Sequence, residues 1–326
     1  MPIRAVHIII ILFLSLKSFG QDPTFSQFYA NQLYLAPSFA GASDYPRLAV
    51  NYRNQWPAIP GVFHTYSISF DRYMPAFRSG LGVLATYDVA GSGDLSTTNI
   101  GILYSYDIPI TREWHVRPGV NFKMHHLGLN IYKLVFSSSL TPGGVTPPLI
   151  PPPFENVTDI DFATSAIFYN DDIWAGITVD HLLRPRQSFY GDDSQVPVKV
   201  NVFGGVQLTG RSRLRRQYTE TVTIAGNFQT QGGFYQSDVG LYYYRNPLMF
   251  GMWYRGIPFV TSQAGDAIIA LLGFKTNDLH IGYSYDFTIS NLVTSSGGAH
   301  EISLVYRFSA IQLGRTRIRA LPCPDF

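Results

Sequence analysis

The chain has 326 residues, and only 14% of them are charged, whereas soluble domains usually carry about 25%. The formal net charge of +2 argues against nucleic-acid binding, which favours a strongly basic domain. Aromatic residues are frequent (4 Trp, 21 Tyr and 23 Phe), and this argues against a disordered chain. The 29 Gly and 21 Pro argue against a helical bundle. Scarce charge with abundant rings indicates a surface that faces lipid.

The N-terminus has the pattern of a secretory signal peptide. Arg4 precedes an apolar run over residues 8–14, and Ser18 and Gly20 are small residues at the positions before a cleavage site. The alternative is a membrane anchor, but the run is shorter than the ~20 residues that a spanning helix needs. We therefore predict four parts. They are a signal peptide (1–20), a periplasmic or lumen-plugging segment (21–46), an outer-membrane β-barrel (47–309) and a periplasmic tail (310–326).

The segment after the predicted cleavage site has apolar residues at helical spacing. Phe25, Phe28 and Leu33 recur every three to five positions, and Pro37 and Gly41 end the pattern. We expect a short amphipathic helix that plugs the lumen from below or rests on the rim of the barrel. The alternative is a loosely ordered leader.

Strict alternation of apolar and polar residues predicts β-strands along most of the remaining chain. In residues 114–124 the even positions are Trp, Val, Pro, Val, Phe and Met, and the odd positions are polar or glycine. This pattern and β-rich composition predict an all-β fold, an antiparallel transmembrane barrel of about fourteen strands. The predicted spans are 47–56, 62–73, 80–89, 96–107, 114–126, 158–170, 172–181, 197–209, 217–229, 233–244, 248–255, 265–275, 278–287 and 298–309.

The lengths of the connections predict which end of the barrel lies outside. Periplasmic turns in such barrels are short and extracellular loops are longer. The predicted connections after even-numbered strands include the tight turns at 170–172, 245–247 and 276–278, while those after odd-numbered strands include 127–157 and 182–196. The Pro-rich 127–157 loop is either a semi-rigid arm for a surface partner or a variable external loop. A soluble sandwich or propeller would not require alternating lengths.

The strand pattern places a mixed set of charges on the face opposite the apolar residues. These side chains either pair across the lumen of a plugged barrel or line a pore. The inward-facing candidates are His115, Arg117, Asn121, Lys123, Lys199, Asn201, Asp286, Glu301 and Arg307.

The sequence contains no motif for catalysis, for a cofactor or for a metal. It lacks a G-x-S-x-G elbow, a P-loop and an HExxH motif. Cys323 is the only cysteine, so neither an intrachain disulfide nor a cysteine-based metal cluster can form. His64, His280 and His300 could meet only through the fold. We expect a protein that is not an enzyme.

Arginine outnumbers lysine nineteen to five, and the arginines cluster at the predicted periplasmic side. Arginine suits bidentate contacts with carboxylate or phosphate groups. The cluster therefore forms either a docking face for an acidic periplasmic partner or a contact with lipid phosphates. Its members lie in one turn and in the tail, and they are Arg211, Arg213, Arg215, Arg216, Arg315, Arg317 and Arg319.

The two ends of the predicted mature chain resemble the PorP/SprF family. The resemblance lies in residues 21–29, 33–41, 52–57, 283–286, 290–292, 299–308 and 323–326. Ala36 stands where the family usually has Asn, and Ala299 stands where it has Ser or Gly. The matching positions include Asp22, Pro23, Phe25, Gln27, Tyr29, Tyr52, Arg53, Trp56, His300, Glu301, Tyr306, Cys323, Pro324 and Phe326.

The resemblance implies an outer-membrane component of a type IX secretion system of Bacteroidetes-type bacteria. Such proteins help to export or anchor large surface proteins, including gliding adhesins, and associate with periplasmic ring components and cargo. The implied partners are outer-membrane lipid, periplasmic ring proteins and surface-anchored cargo, and the resemblance implies no catalytic residues. The alternatives from the residues themselves are a small-solute channel and a lumenal lipid-modifying enzyme.

Overall fold

The computed structural model describes residues 21–130, 133–134, 140–141, 144–145, 156–210, 220–256, 265–289 and 296–309. Fourteen long strands dominate it, which confirms the predicted number. They are β1 (Arg47–Gln55), β2 (Val62–Met74), β3 (Ser79–Gly91), β4 (Leu95–Tyr106), β5 (His115–Gly128), β6 (Asn156–Tyr169), β7 (Ile173–Asp180), β8 (Lys199–Gly210), β9 (Glu220–Gln231), β10 (Phe234–Arg245), β11 (Leu248–Gly256), β12 (Gly265–Lys275), β13 (Leu279–Thr288) and β14 (Ala299–Arg307).

The strands form one closed antiparallel sheet in which each strand pairs with its neighbours in sequence. The first and last strands close the barrel, because β1 and β14 pair from Arg47 opposite Arg307 to Gln55 opposite Ala299. Closure leaves no open sheet edge, so the backbone polar groups of the strands are satisfied within the sheet, as a lipid environment requires. The helices in the described part of the chain are all too short or too polar to cross a bilayer.

Side-chain burial follows the predicted alternation. In β5, Asn121 and Lys123 are buried on the lumen side, while Phe122 between them is 55% exposed on the outer side. The same contrast separates buried Ser67 from exposed Ile68 in β2. Large apolar side chains therefore cover the outer surface, which is the arrangement of a strand with lipid on one side and a polar interior on the other.

The connections follow the predicted length rule only in part. We call the end where β1 begins and β14 ends the terminal end, and the opposite end the loop end. The two longest connections, 129–155 and 181–198, are both at the loop end, as predicted. However, 92–94 and 232–233 are tight turns at the same end, and 211–219 separates two strands at the terminal end. Glycines at positive φ, such as Gly232 at 57° and Gly233 at 87°, permit the two-residue hairpin.

Residues 22–41 lie inside the barrel, and we call the segment of residues 21–46 the plug. It contains a single helical turn, α1 (Gln32–Leu35), followed by a 3-10 turn (Pro37–Phe39). The amphipathic helix predicted from Phe25 onward is therefore wrong over most of its length. Helical spacing alone does not stabilise so short a helix in water, and contacts with the barrel wall hold residues 22–29 in another conformation.

Candidate functional site

The plug crosses the lumen from the loop end to the terminal end. Asp22 contacts Gln231, which ends β9 at the loop end. Gly41 contacts Asp71 of β2 at the terminal end, a few residues before β1 begins. Three groups of contacts hold the plug, and they lie near Gly41, Ser26 and His181.

The first group lies at the terminal end, and we call it the Gly41 cluster (Gly41, Arg47, Asp71, Ser105 and Arg117). Asp71 accepts a hydrogen bond of 2.8 Å from the Gly41 backbone N–H and pairs with Arg47 Nε at 3.0 Å. Arg117 donates to the Gly41 carbonyl at 2.9 Å and to Ser105 Oγ at 3.1 Å. Two buried arginines and one buried carboxylate thus fix the backbone of the plug as it leaves the lumen.

Glycines in the wall let the plug approach closely at this end. A Cβ added to Gly80 would lie 1.9 Å from the Ala40 carbonyl oxygen, and one added to Gly119 would lie 2.3 Å from the Ser38 nitrogen. Both distances are far below van der Waals contact. Strands β3 and β5 therefore need glycine at these positions because the plug backbone occupies the space of a side chain.

The second group binds the plug backbone through a carboxylate, and we call it the Ser26 cluster (Ser26, Gln27, Arg53, Asp238, Arg255, Asp286, Glu301). Glu301 accepts hydrogen bonds from the backbone N–H groups of Ser26 at 2.7 Å and Gln27 at 2.9 Å. The Gln27 side chain donates to the Glu301 carbonyl and to Ser284 Oγ, both at 3.0 Å, and accepts from Ser303 Oγ at 2.5 Å. Strand β14 and the plug are thus joined by several hydrogen bonds.

Buried ion pairs surround these contacts. Arg53 pairs with Asp286 at 2.8 Å and with Glu301 at 3.2 Å, so it links β1 to β13 and β14. Arg255 pairs with Asp238 at 2.8 Å and with Asp286 at 3.0 Å. All five side chains are almost fully buried. Removing one member of such a network leaves an uncompensated buried charge, which typically costs about 3–5 kcal/mol.

The third group lies at the loop end, and we call it the His181 cluster (Asp22, Lys123, Asp161, Asp180, His181 and Lys199). His181 Nδ1 lies 2.7 Å from Asp161 and Nε2 lies 2.9 Å from Asp22. Lys123 contacts Asp180 at 2.6 Å, and Lys199 contacts Asp22 at 3.4 Å. The three carboxylates match the two ammonium groups and a protonated His181, so the cluster is neutral only when the imidazole carries its proton.

The electrostatics of the loop end favour the protonated form of His181. Burial by itself would lower the pKa of His181, but the carboxylates of Asp22 and Asp180 outweigh it and raise the pKa to about 9. Burial would raise the pKa of Asp22, but the charges of His181 and Lys199 hold it well below its usual range. At neutral pH the two residues therefore form a charged pair between the plug and the wall.

Asp22, Asp180 and His181 also present three potential metal-ligand atoms within 4.8 Å of one another. The ammonium groups of Lys123 and Lys199 already neutralise these carboxylates. A protonated imidazole cannot ligate a metal, because both ring nitrogens are donors. The chemistry of this set therefore fits a salt-bridge network, and the prediction that the chain holds no metal stays a prediction.

Aromatic contacts join the plug to the wall between the clusters. The Phe28 ring packs edge-on against Trp253 with centroids 4.9 Å apart, and the Tyr29 ring packs against Tyr242 at 4.5 Å. Edge-to-face aromatic pairs contribute about 0.5–1.5 kcal/mol beyond the area that they bury. These rings belong to a cluster of buried apolar side chains from the plug and the wall in the middle of the lumen.

The sequence-predicted lumen residues all take inward positions on their strands. Arg117 belongs to the Gly41 cluster, Asp286 and Glu301 to the Ser26 cluster, and Lys123 and Lys199 to the His181 cluster. The others lie apart from the three clusters. His115 contacts Asp107 at 3.2 Å near the terminal end, Asn121 and Asn201 are buried in the wall, and Arg307 is half-buried at the end of β14.

The family-motif positions divide between the lumen and the outer surface. Asp22, Pro23, Phe25, Gln27, Tyr29, Arg53 and Glu301 meet in the lumen; Pro23 accepts a hydrogen bond of 2.5 Å from Tyr34, whose ring packs against Phe25. Tyr52, His300 and Tyr306 lie on outward positions, with His300 bonded to the Tyr283 hydroxyl at 2.8 Å. Trp56 follows β1 with φ 55°. The plug lies against the closing strands β1 and β14, so motif residues from both ends of the sequence meet there.

The three histidines that only the fold could bring together do not form one site. His64 and His300 lie outward on either side of Asn54, and each contacts a tyrosine hydroxyl. His280 is buried on the lumen side near the terminal end, 3.1 Å from the Thr276 carbonyl.

Sequence reasoning missed several residues of the clusters, above all Ser26, Asp71, Asp238, Arg255 and His181. Asp71, Asp238 and Arg255 occupy inward positions of alternating strands, so the alternation rule could have found them. His181 follows the end of β7 and carries no such signal. The predicted arginine surface (Arg211, Arg213, Arg215, Arg216, Arg315, Arg317 and Arg319), the signal peptide and the motif residues Cys323, Pro324 and Phe326 lie outside the described residues.

Comparison with known proteins identifies one family. The model of the type IX secretion system membrane protein PorP/SprF matches residues 17–306. No curated protein matches the chain. Solved structures with a similar fold include the toluene transporter TbuX of Ralstonia pickettii (11% identity, TM-score 0.49, covering 85% of this chain and 93% of that one). They also include the outer membrane protein Omp33 of Acinetobacter baumannii (9% identity, TM-score 0.45, covering 81% and 99%).

Proposed function

Because the chain belongs to the PorP/SprF family of type IX secretion system membrane proteins, we propose that it acts as a non-enzymatic scaffold of that system in the outer membrane. In this proposal it helps to export or to anchor large surface proteins, including gliding adhesins, through protein contacts at both ends of the barrel. The observation that carries the proposal is the plug, which crosses the lumen and is held by the Gly41, Ser26 and His181 clusters.

The plug favours a scaffold over a small-solute channel. Its backbone touches the wall at Gly80 and Gly119, and its rings pack against Trp253 and Tyr242 in the middle of the lumen. A solute crossing the barrel would have to displace these contacts. Purified protein in planar bilayers tests this point, since a scaffold gives little steady conductance. Large steady conductance from the intact protein would instead favour the channel.

The orientation of the barrel assigns its two ends to different partners. The terminal end lies in the periplasm in this proposal, and the long connections 129–155 and 181–198 extend outside the cell. Cargo would contact the long connections, while periplasmic ring components would contact the arginine-rich turn and tail. The signal peptide would be removed after Gly20, which leaves the plug free to enter the lumen.

Affinity capture after crosslinking in cells tests the periplasmic contact. Replacing Arg211, Arg213, Arg215 and Arg216 by Ser should reduce recovery of periplasmic ring proteins and leave barrel assembly intact. The matched control replaces Arg184 and Arg186, in a connection at the other end of the barrel, by Ser. Equal recovery from the wild-type protein and the four-arginine variant would contradict this part of the proposal.

A further inference from the structure

The loop-end half of the lumen contains a cavity of about 460 Å³ that no part of the proposed function uses. The plug forms one wall through Asp22 and Tyr34, strands β3 to β5 form another, and the 181–198 connection contributes Phe189. Leu95, on the lumen side of β4 at its loop end, is 38% exposed. The volume lies in the range of small-ligand sites, ~300–1,000 Å³.

The charge of the cavity wall is acidic. Asp22, Asp88 and Asp180 line it together with a single ammonium group, that of Lys123. Asp22 and Asp180 are matched by the cations of the His181 cluster. Asp88 differs from them, because its one described hydrogen bond comes from a neutral group, Thr65 Oγ1 at 2.6 Å. Within the described part of the chain, no cationic group forms an ion pair with it.

The remaining lining suits a ligand that donates hydrogen bonds. The hydroxyl oxygens of Thr86 and Thr97 lie on the same side of the cavity as Asp88, whereas the Asn99 amide oxygen there already contacts His125 Nδ1 at 2.8 Å. The rings of Tyr34 and Phe189 provide aromatic surface, and the Tyr34 ring already faces one cation, the Lys199 ammonium 5.3 Å from its centroid. Aromatic faces attract cations through their quadrupole. An uncompensated carboxylate, neutral acceptors and aromatic rings together favour an ammonium or guanidinium group over a neutral or anionic ligand.

We propose that this cavity binds a cationic group, an alkylammonium or a guanidinium, that enters from the loop end and pairs with Asp88. The group could belong to a free small cation or to a basic side chain of a polypeptide at the cell surface. The proposal concerns a ligand inside the lumen and holds independently of the export role, so either can fail without the other.

Binding measurements on the full-length protein in lipid nanodiscs test the proposal. The probes are spermidine, as a free cation, and the acetylated, amidated tripeptide Gly-Lys-Gly, as a basic side chain; Gly-Gln-Gly blocked in the same way is the neutral comparison. We expect at least one cationic probe to bind the wild-type protein by isothermal titration calorimetry. Binding of the lysine peptide alone identifies a polypeptide source, whereas binding of spermidine identifies a small cation.

Three variants test whether the cationic probes bind in this cavity or on another acidic surface. Asp88→Asn should weaken binding of the cationic probe at least ten-fold. Asp107→Asn changes a lumenal carboxylate at the terminal end, outside the cavity, and should leave binding unchanged. Thr97→Trp should also block binding by filling the cavity, and heat-modifiable gel mobility checks that each variant is folded. Failure of both cationic probes to bind at millimolar concentration, or equal binding by Asp88→Asn, would overturn the proposal.

Discussion

The first and second halves of the plug are held in the lumen by different interactions. Residues 22–29 depend on charge, since Asp22 pairs with His181 and Glu301 binds the backbone at Ser26. Residues 37–41 combine charged contacts at Gly41 with a close fit of shape, because their backbone lies directly against Gly80 and Gly119. Contacts between charged groups respond to pH and to the loss of one partner. Close packing of a backbone against glycine responds to the addition of a single carbon atom. Four measurements separate the contributions of charge and shape.

The largest expected effect is at the charged half. Asp286 pairs with both Arg53 and Arg255, so Asp286→Asn leaves two buried guanidinium groups with less compensation. We expect the free energy of unfolding, measured by urea titration in lipid, to fall by about 3–5 kcal/mol. The control is Asp159→Asn, which removes a partly exposed pair with Arg186 and should cost less than about 1 kcal/mol. Similar costs for both variants would show that the Ser26 cluster does not anchor the plug.

The pH dependence of stability should report on His181. Its pKa is raised to about 9 in the folded protein from an ordinary value of 6.5. The stabilisation by the charged imidazole is therefore complete below about pH 6.5 and is lost as the pH rises through 9, by up to about 3 kcal/mol. Unfolding titrations at pH 6 and pH 10 should differ by more for the wild type than for His181→Gln. Identical pH profiles for the two proteins would exclude a charged His181.

One added methyl group next to residues 37–41 should lower the stability of the protein. Gly80→Ala places Cβ where the Ala40 carbonyl oxygen lies, so the plug must shift, at a cost of about 1–3 kcal/mol. Conductance in planar bilayers should rise together with the loss of stability. Gly226→Ala is the matched control, because the nearest atom to its added Cβ is 3.6 Å away. If the Gly80→Ala protein were as stable as this control and conducted no more than it, the close fit of the plug backbone against Gly80 would be refuted.

The smallest expected effect concerns a single hydrogen bond from Tyr34 to the charged half. Tyr34 donates to the Pro23 carbonyl oxygen at 2.5 Å, while its ring packs against Phe25. Tyr34→Phe keeps the ring contact and removes the donor, so stability should fall by about 1 kcal/mol. The same urea titration measures this loss. A much larger loss would mean that the hydroxyl supports more than the local fold of residues 23–34.

The strands were predictable because the two faces of each strand meet different surroundings. In β2 and β5 most outward residues are large and apolar, whereas the inward residues between them are polar, and the period of two shows this directly in the sequence. The helix expected from Phe25 onward is wrong because the conformation of this segment depends on contacts with distant parts of the chain. Ser26 and Gln27 bind Glu301 of β14, whereas Phe28 and Tyr29 pack against rings of β11 and β10. No local rule describes partners that are so distant in sequence.

The sequence by itself determined the fourteen strands, their inward and outward faces, and the family to which its two ends point. It also placed Arg117, Lys123, Asp286 and Glu301 on the lumen side. Only the tertiary structure decided that Glu301 holds the backbone of Ser26 and that Gly80 makes room for Ala40. Alternation is a local property of each strand, but these pairings join residues up to 275 positions apart, and they form only when the plug lies inside the closed barrel.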